Sequence, residues 1–245
     1  MTTTPAIESE KRVIVALDVE SADEARSIIR ELRAEAGAFK IGLQLFTAAG
    51  PEFVREVAAE HRVFLDLKFH DIPNTVAKAA IEAARLGVWM FNVHASGGSE
   101  MMLETVRSLH MACEQERLKR PLAIAVTVLT SSDTNTLHET GIERSAESQV
   151  LHLARLAAEC GLDGVVSSPL EVSAVRRAVG NTGFLIVTPG VRPEFATKDD
   201  QKRVMTPRRA AAEGSNYLVI GRPIVRAENR LAALRRIYEE IEAAD

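Results

Sequence analysis

The run Arg12-Val-Ile-Val-Ala-Leu-Asp18 sets the fold class. Val13 to Leu17 are apolar at every position, so a strand built from them has no face to offer to water. Strands buried on both faces belong to parallel sheets covered by helices. Seven more short runs rich in Val, Ile and Leu follow, over residues 38–42, 62–67, 88–94, 122–129, 163–167, 184–187 and 217–221. Longer amphipathic stretches separate them. Ala25, Ile28, Ile29 and Leu32 recur at helical spacing, as do Val150, Leu153, Ala154 and Ala157, and the chain closes on Leu231, Leu234, Ile237, Tyr238 and Ile241. Eight strand and helix pairs in alternation are what a closed (β/α)8 barrel requires, with an open doubly wound sheet as the alternative. The alternation favours an α/β chain forming a single (β/α)8 (TIM) barrel over residues 11–245, preceded by a disordered tail at 1–10.

Composition agrees. Of 245 residues, 46% are hydrophobic and 26% charged, at a mean hydropathy of −0.02, which excludes a disordered, collagen-like or membrane-spanning chain. Lys and Arg number 30 against 34 Asp and Glu, a net charge of −4. No global basic field exists to recruit nucleic acid or an acidic membrane, so any anion site must be local. Cys113 and Cys160 have neither metal-ligand nor disulfide spacing, which fits a reducing cytoplasm. The start lacks the basic stretch and apolar run of a signal peptide, and no apolar run reaches membrane-spanning length. Two connections, over 130–144 and 189–206, are long enough to suggest functional loops.

A barrel of this kind places its chemistry at the C-terminal ends of the strands. Here those ends carry Asp18, Lys40, the block Asp66-Leu-Lys-Phe-His-Asp71, His94, Thr127 with Thr130, Thr188-Pro-Gly-Val-Arg192, and Gly221-Arg222. Strand alternation puts Asp66 and Lys68 on one face, opposite Leu65 and Leu67. One such pair alone reads as a structural ion pair. Adding Lys40 from the neighbouring strand and Asp71 makes an alternating Lys, Asp, Lys, Asp array, which is costly to desolvate and hard to justify as packing. After the seventh and eighth strands, Gly190 and Gly221 let backbone N–H groups approach a phosphate, and Arg192 and Arg222 offer forked donors to it. His94 reads first as a wall residue, and His70 as facing away from the site or toward a subunit contact.

Taken together the motifs resemble the orotidine 5′-phosphate decarboxylases in their bacterial form. The resemblance runs end to end, through Val15-Ala-Leu-Asp18, Lys40-Ile-Gly42, Asp66-Leu-Lys-Phe-His-Asp-Ile-Pro73, Asn92-Val-His-Ala-Ser-Gly-Gly98, Val126-Thr-Val-Leu-Thr130, Thr188-Pro-Gly-Val-Arg-Pro193 and Ile220-Gly-Arg-Pro223. It implies a (β/α)8 barrel, a homodimer with sites at the subunit interface, no cofactor and no metal. The implied reaction converts orotidine 5′-phosphate to UMP and carbon dioxide at the end of pyrimidine synthesis.

Position by position, the resemblance implies Lys68 as proton donor, with Lys40, Asp66 and Asp71 completing the charged array and Asp71 reaching into a partner's site. Asp18 and Lys40 are implied as ribose contacts, Thr75 as a contact from the partner, and Thr130 as a contact at the pyrimidine end. Arg192, Gly221 and Arg222 are implied at the phosphate, and Gln201 as the loop residue joining phosphate and pyrimidine. Magnesium-dependent sugar-phosphate decarboxylases and hexulose-phosphate synthases resemble the same Asp-x-Lys-x-x-Asp block. They place Glu, a metal ligand, where this chain has Lys40. A barrel reduced to a binding or assembly subunit would show damage to the array, and both lysines and both aspartates are present.

Overall fold

The structure, a computed structural model, describes residues 12–196 and 205–243. The tail expected at 1–10 and the loop residue Gln201 lie outside the described residues. Eight strands, β1 (Val13–Ala16), β2 (Ala38–Gly42), β3 (Val63–Phe69), β4 (Met90–His94), β5 (Leu122–Val126), β6 (Gly164–Val166), β7 (Leu185–Pro189) and β8 (Tyr217–Ile220), close into a barrel in chain order. Every neighbouring pair is parallel, and β1 pairs with both β2 and β8. That closure excludes the open doubly wound sheet.

The all-apolar strands are explained by two separate cores. Ile14, Ala16, Ala38, Phe64, Met90, Ile124, Leu185, Val187, Tyr217 and Val219 fill the barrel interior. Their chain neighbours Val13, Val15, Phe39, Ile41, Val63, Leu65, Phe91 and Val93 face the helices and join the larger outer core. Each strand therefore buries both parities, as successive side chains alternate faces. One strand needs a glycine for its fit: a Cβ at Gly164 in β6 would stand 2.3 Å from the Leu185 carbonyl oxygen of β7.

The helices are α1 (Ala22–Leu32), α2 (Leu43–Glu60), α3 (Pro73–Arg85), α4 (Gly98–Glu116), α5 (Thr134–Glu139), α6 (Ala146–Glu159), α7 (Val172–Val179), α8 (Pro207–Ala212), α9 (Arg222–Val225) and α10 (Arg230–Glu242). Side-chain caps from Ser21, Asp133, Ser145, Thr206 and Asn229 satisfy first-turn N–H groups of α1, α5, α6, α8 and α10. The long connection after β5 is thus not bare loop, since Asp133 starts α5 inside it. Among the described residues no helix is long and apolar enough to cross a membrane.

Candidate active site

Two residues beyond the interior core, the same inward parity turns polar. Asp18 follows Ala16, Lys40 follows Ala38, Asp66 follows Phe64 and Asn92 follows Met90, so β1 to β4 carry an ordered polar layer on an apolar floor. Lys40 Nζ donates to Asp18 Oδ1 at 2.9 Å and lies 3.5 Å from Asp66 Oδ2. Lys68 Nζ donates to the other oxygen, Asp66 Oδ1, at 2.7 Å. The chain of charges is Asp18, Lys40, Asp66, Lys68. The Lys40 and Asp66 side chains are only 10% and 14% exposed, against 35% for Lys68, so the outer ammonium is the one offered to a ligand. Burial pushes the Asp66 carboxyl upward, yet the charges of Lys40 and Lys68, with hydrogen bonds from Lys68 and Asn92, outweigh it and hold Asp66 below the usual carboxylate range.

The regular alternation expected along β3 does not reach Lys68. Leu65 pairs with Phe91, but the next pairing is Phe69 with Val93, so Asp66, Leu67 and Lys68 stand against Asn92 alone. Such a bulge leaves ladder groups without partners. Lys68 takes a left-handed φ of 55°, uncommon for a residue with a Cβ. Its side chain still meets Asp66, through this turn and not through simple alternation. Asn92, 1% exposed, fills the gap. Its Oδ1 accepts the Lys68 backbone N–H at 2.8 Å, and its Nδ2 donates to Asp66 Oδ1 at 2.7 Å.

These groups open onto a cavity of about 370 Å³ at the C-terminal end of the barrel, within the range of small-molecule sites. Asp18, Lys40, Asp66 and Lys68 line one end. Val126, Val128, Leu129 and Val166 form an apolar wall, beside Thr130, Ser131 and Ser167. Gly190, Arg192, Gly221 and Arg222 line the remaining rim. A Cβ at Gly221 would come within 3.3 Å of the Ala16 Cβ and 3.4 Å of Asp18 Oδ2, so the missing side chain keeps this rim open.

The comparisons with known proteins agree with this geometry. Residues 11–237 match the model of the orotidine 5′-phosphate decarboxylase / HUMPS family. An orotidine 5′-phosphate decarboxylase of Syntrophotalea carbinolica is 55% identical over 97% of this chain and 98% of its own length. One of Pelobacter propionicus is 51% identical over 96% and 97%. A crystal structure of orotidine 5′-phosphate decarboxylase from Lactobacillus acidophilus superposes with a TM-score of 0.82 at 38% identity, covering 94% of this chain and 98% of that one. The chain belongs to the orotidine 5′-phosphate decarboxylase / HUMPS family.

Within the family frame, the expected residues divide into three groups. Asp18, Lys40, Asp66, Lys68, Thr130, Arg192, Gly221 and Arg222 all line the one cavity. Asp71 and Thr75 do not: both are exposed, and Asp71 Oδ1 accepts the Ile72 backbone N–H at 2.6 Å, with no ion pair among the described residues. Gln201 is not described. His70 and His94 stack on each other with centroids 5.4 Å apart, and burial, His70 and Lys68 hold His94 below the usual histidine range, against the pull of Asp66. That favours a neutral wall residue.

Asn92 was quoted in a motif but given no role, and Ser131 and Ser167 on the cavity wall were also missed. Regarding the metal-using branch, Lys40 already occupies the point where Asp18 and Asp66 converge. No cluster of three or more His, Cys, Asp or Glu is arranged to hold a metal among the described residues. At this point of the site the described residues, with an ammonium between the two carboxylates, do not fit a divalent cation.

Proposed function

We propose that this protein decarboxylates orotidine 5′-phosphate to UMP and carbon dioxide, the last step of de novo UMP synthesis, without cofactor and with Lys68 as proton donor. The observation that carries the reading is the charge chain Asp18, Lys40, Asp66, Lys68, which ends in an ammonium, the more exposed of the two lysines, on the wall of a cavity of about 370 Å³. Breaking the bond from C6 to the carboxylate leaves an electron pair in the ring plane, where the π system cannot spread it. Stabilisation must come from a fixed positive charge beside C6, which is the task a preorganised ammonium performs in a water-poor site. The Lys68 ammonium then gives its proton to C6, carbon dioxide leaves, and the Lys68 amine recovers a proton from solvent.

Asp66, itself held ionised, pairs with both neighbouring lysines. The rim of Arg192, Arg222 and the two glycines suits a phosphate dianion, whose binding energy far from the reacting carbon is available for positioning it. Asp71 is exposed and has no ion pair among the described residues, and it is followed by Ile72, 65% exposed like Leu43 beyond β2. Apolar surface on this rim supports a homodimer in which Asp71 and Thr75 serve the partner's site. Two free, buried cysteines support a cytoplasmic location.

The test mixes purified protein with orotidine 5′-phosphate and follows loss of the orotate absorbance. Activity is expected, and it is expected to survive exhaustive chelation. A rate abolished by EDTA and restored by magnesium transfers the protein to the metal-using branch, and a barrel without chemistry gives no rate at all.

A further inference from the structure

Asn92 is the buried, uncharged member of the polar layer above the apolar floor of the barrel, and the reaction as derived above does not use it. Burying such a group is unfavourable unless its donors and acceptor are satisfied. Here both ends are engaged, and both partners belong to the charged array: Oδ1 takes the Lys68 N–H and Nδ2 holds Asp66 Oδ1. Three residues of β3 stand against this single residue of β4, so the side chain supplies a bond the ladder lost at the bulge. Without it, the left-handed φ of 55° at Lys68 loses the hydrogen bond that offsets its strain. Asp66 would keep its two lysines but lose the neutral donor that fixes its Oδ1.

We propose that Asn92 is the positioning residue of this site, holding the Lys68 backbone turn and the Asp66 carboxylate in one unit so that the Lys68 ammonium stands at a fixed point in the cavity. The proposal deepens the decarboxylase reading and rests on it for its kinetic arm. The ionisable groups that bear on the unit are Asp18 from beyond β1, Lys40 from β2, Asp66 and Lys68 on β3, His70 after β3 and His94 on β4.

Two variants test it. Asn92→Ala removes both hydrogen bonds, and Asn92→Asp keeps the shape and the acceptor while replacing the donor to Asp66 with a second carboxylate. In both, kcat for orotidine 5′-phosphate is expected to fall about 10- to 100-fold, the cost of a displaced reacting group, while KM stays within about threefold. In both, a ¹³C-detected titration of Asp66 without substrate is expected to move to higher pH, because the charged form loses a donor. Should Asn92→Ala fail to fold, Asn92→Asp carries the test. A folded variant with wild-type kcat and a wild-type Asp66 titration overturns the proposal. So does a variant in which kcat falls and KM rises together while the Asp66 titration stays put, the mark of lost packing alone. Wild-type protein inactive on orotidine 5′-phosphate overturns the decarboxylase reading instead, and the titration still decides on Asn92.

Discussion

At the scale of single residues, the cavity has two chemically distinct ends, and the proposed phosphate end can be tested apart from the chemistry. On the proposed role, Arg222→Ala removes a charge-assisted contact worth roughly 1.5 to 3 kcal/mol, so efficiency on orotidine 5′-phosphate should fall about 10- to 100-fold. Efficiency on orotidine, which lacks the phosphate, should hardly change. Equal losses on both substrates, measured as kcat/KM, would remove Arg222 from the phosphate site. Asp18, Lys40, Asp66, Arg192 and Arg222 were readable from the chain because each lies on the inward parity of a strand or just past a strand end, where barrel geometry alone brings them to one cavity. Asn92 was not. Its work depends on the unequal count of residues between β3 and β4, and hydrophobic periodicity carries no signal for a bulge. Lys68 was correctly paired with Asp66 by a reading that assumed a regular strand, and the pair is in fact closed by the left-handed turn at Lys68.

Among the elements, the eight strands were legible because both parities are apolar, and their C-terminal limits were less so. The run at 122–129 is apolar as far as Leu129 except at Thr127, but β5 stops at Val126 and hands Val128 and Leu129 to the cavity wall. Apolar sequence there serves the site and not the sheet. The C-terminal helix α10 also reaches the site indirectly. Glu240 accepts the Glu194 backbone N–H at 3.1 Å, and the Arg236 guanidinium lies 4.1 Å from the Phe195 ring centroid, gripping the segment that begins with Arg192. Burial raises the Glu240 carboxyl above the usual glutamate value of 4.5, the nearby Glu194 charge adds to this, and the Glu194 N–H and Arg236 oppose it. A raised value means the neutral form is favoured by folding, so this contribution to stability is present below about pH 4.5 and lost as pH rises through the folded value. Glu240→Gln keeps an acceptor for the Glu194 N–H and cannot ionise. Its melting temperature should exceed that of the wild type at pH 7.5, with the advantage shrinking toward pH 4.5. A variant less stable than wild type by the same margin at both pH values would show that the charge is not the cost.

For the molecule as a whole, closure of the barrel determines which residues one chain can bring to its own site and which it cannot. Lys68 belongs to the β3 bulge and turns inward beside Asp66. Asp71, three residues on, is exposed at the start of the connection into α3 and, among the described residues, is tied only to its own chain neighbour. An array that needs both can be completed by a two-fold partner, as an isologous interface places the same rim of each subunit against the other. Lys68→Ala and Asp71→Ala homodimers should then each be nearly inactive, since every site lacks one member. A mixed population behaves differently. In a hybrid dimer, one site carries both defects, while the other joins an intact Lys68 from one chain with an intact Asp71 from its partner. Random exchange makes about half of the dimers hybrid, and half of the sites in those are whole, so about one quarter of wild-type activity should return. Subunit exchange is verified by co-purification of differently tagged chains. If exchange is complete and the mixture remains as inactive as its parents, Asp71 acts within its own subunit and the shared site is wrong.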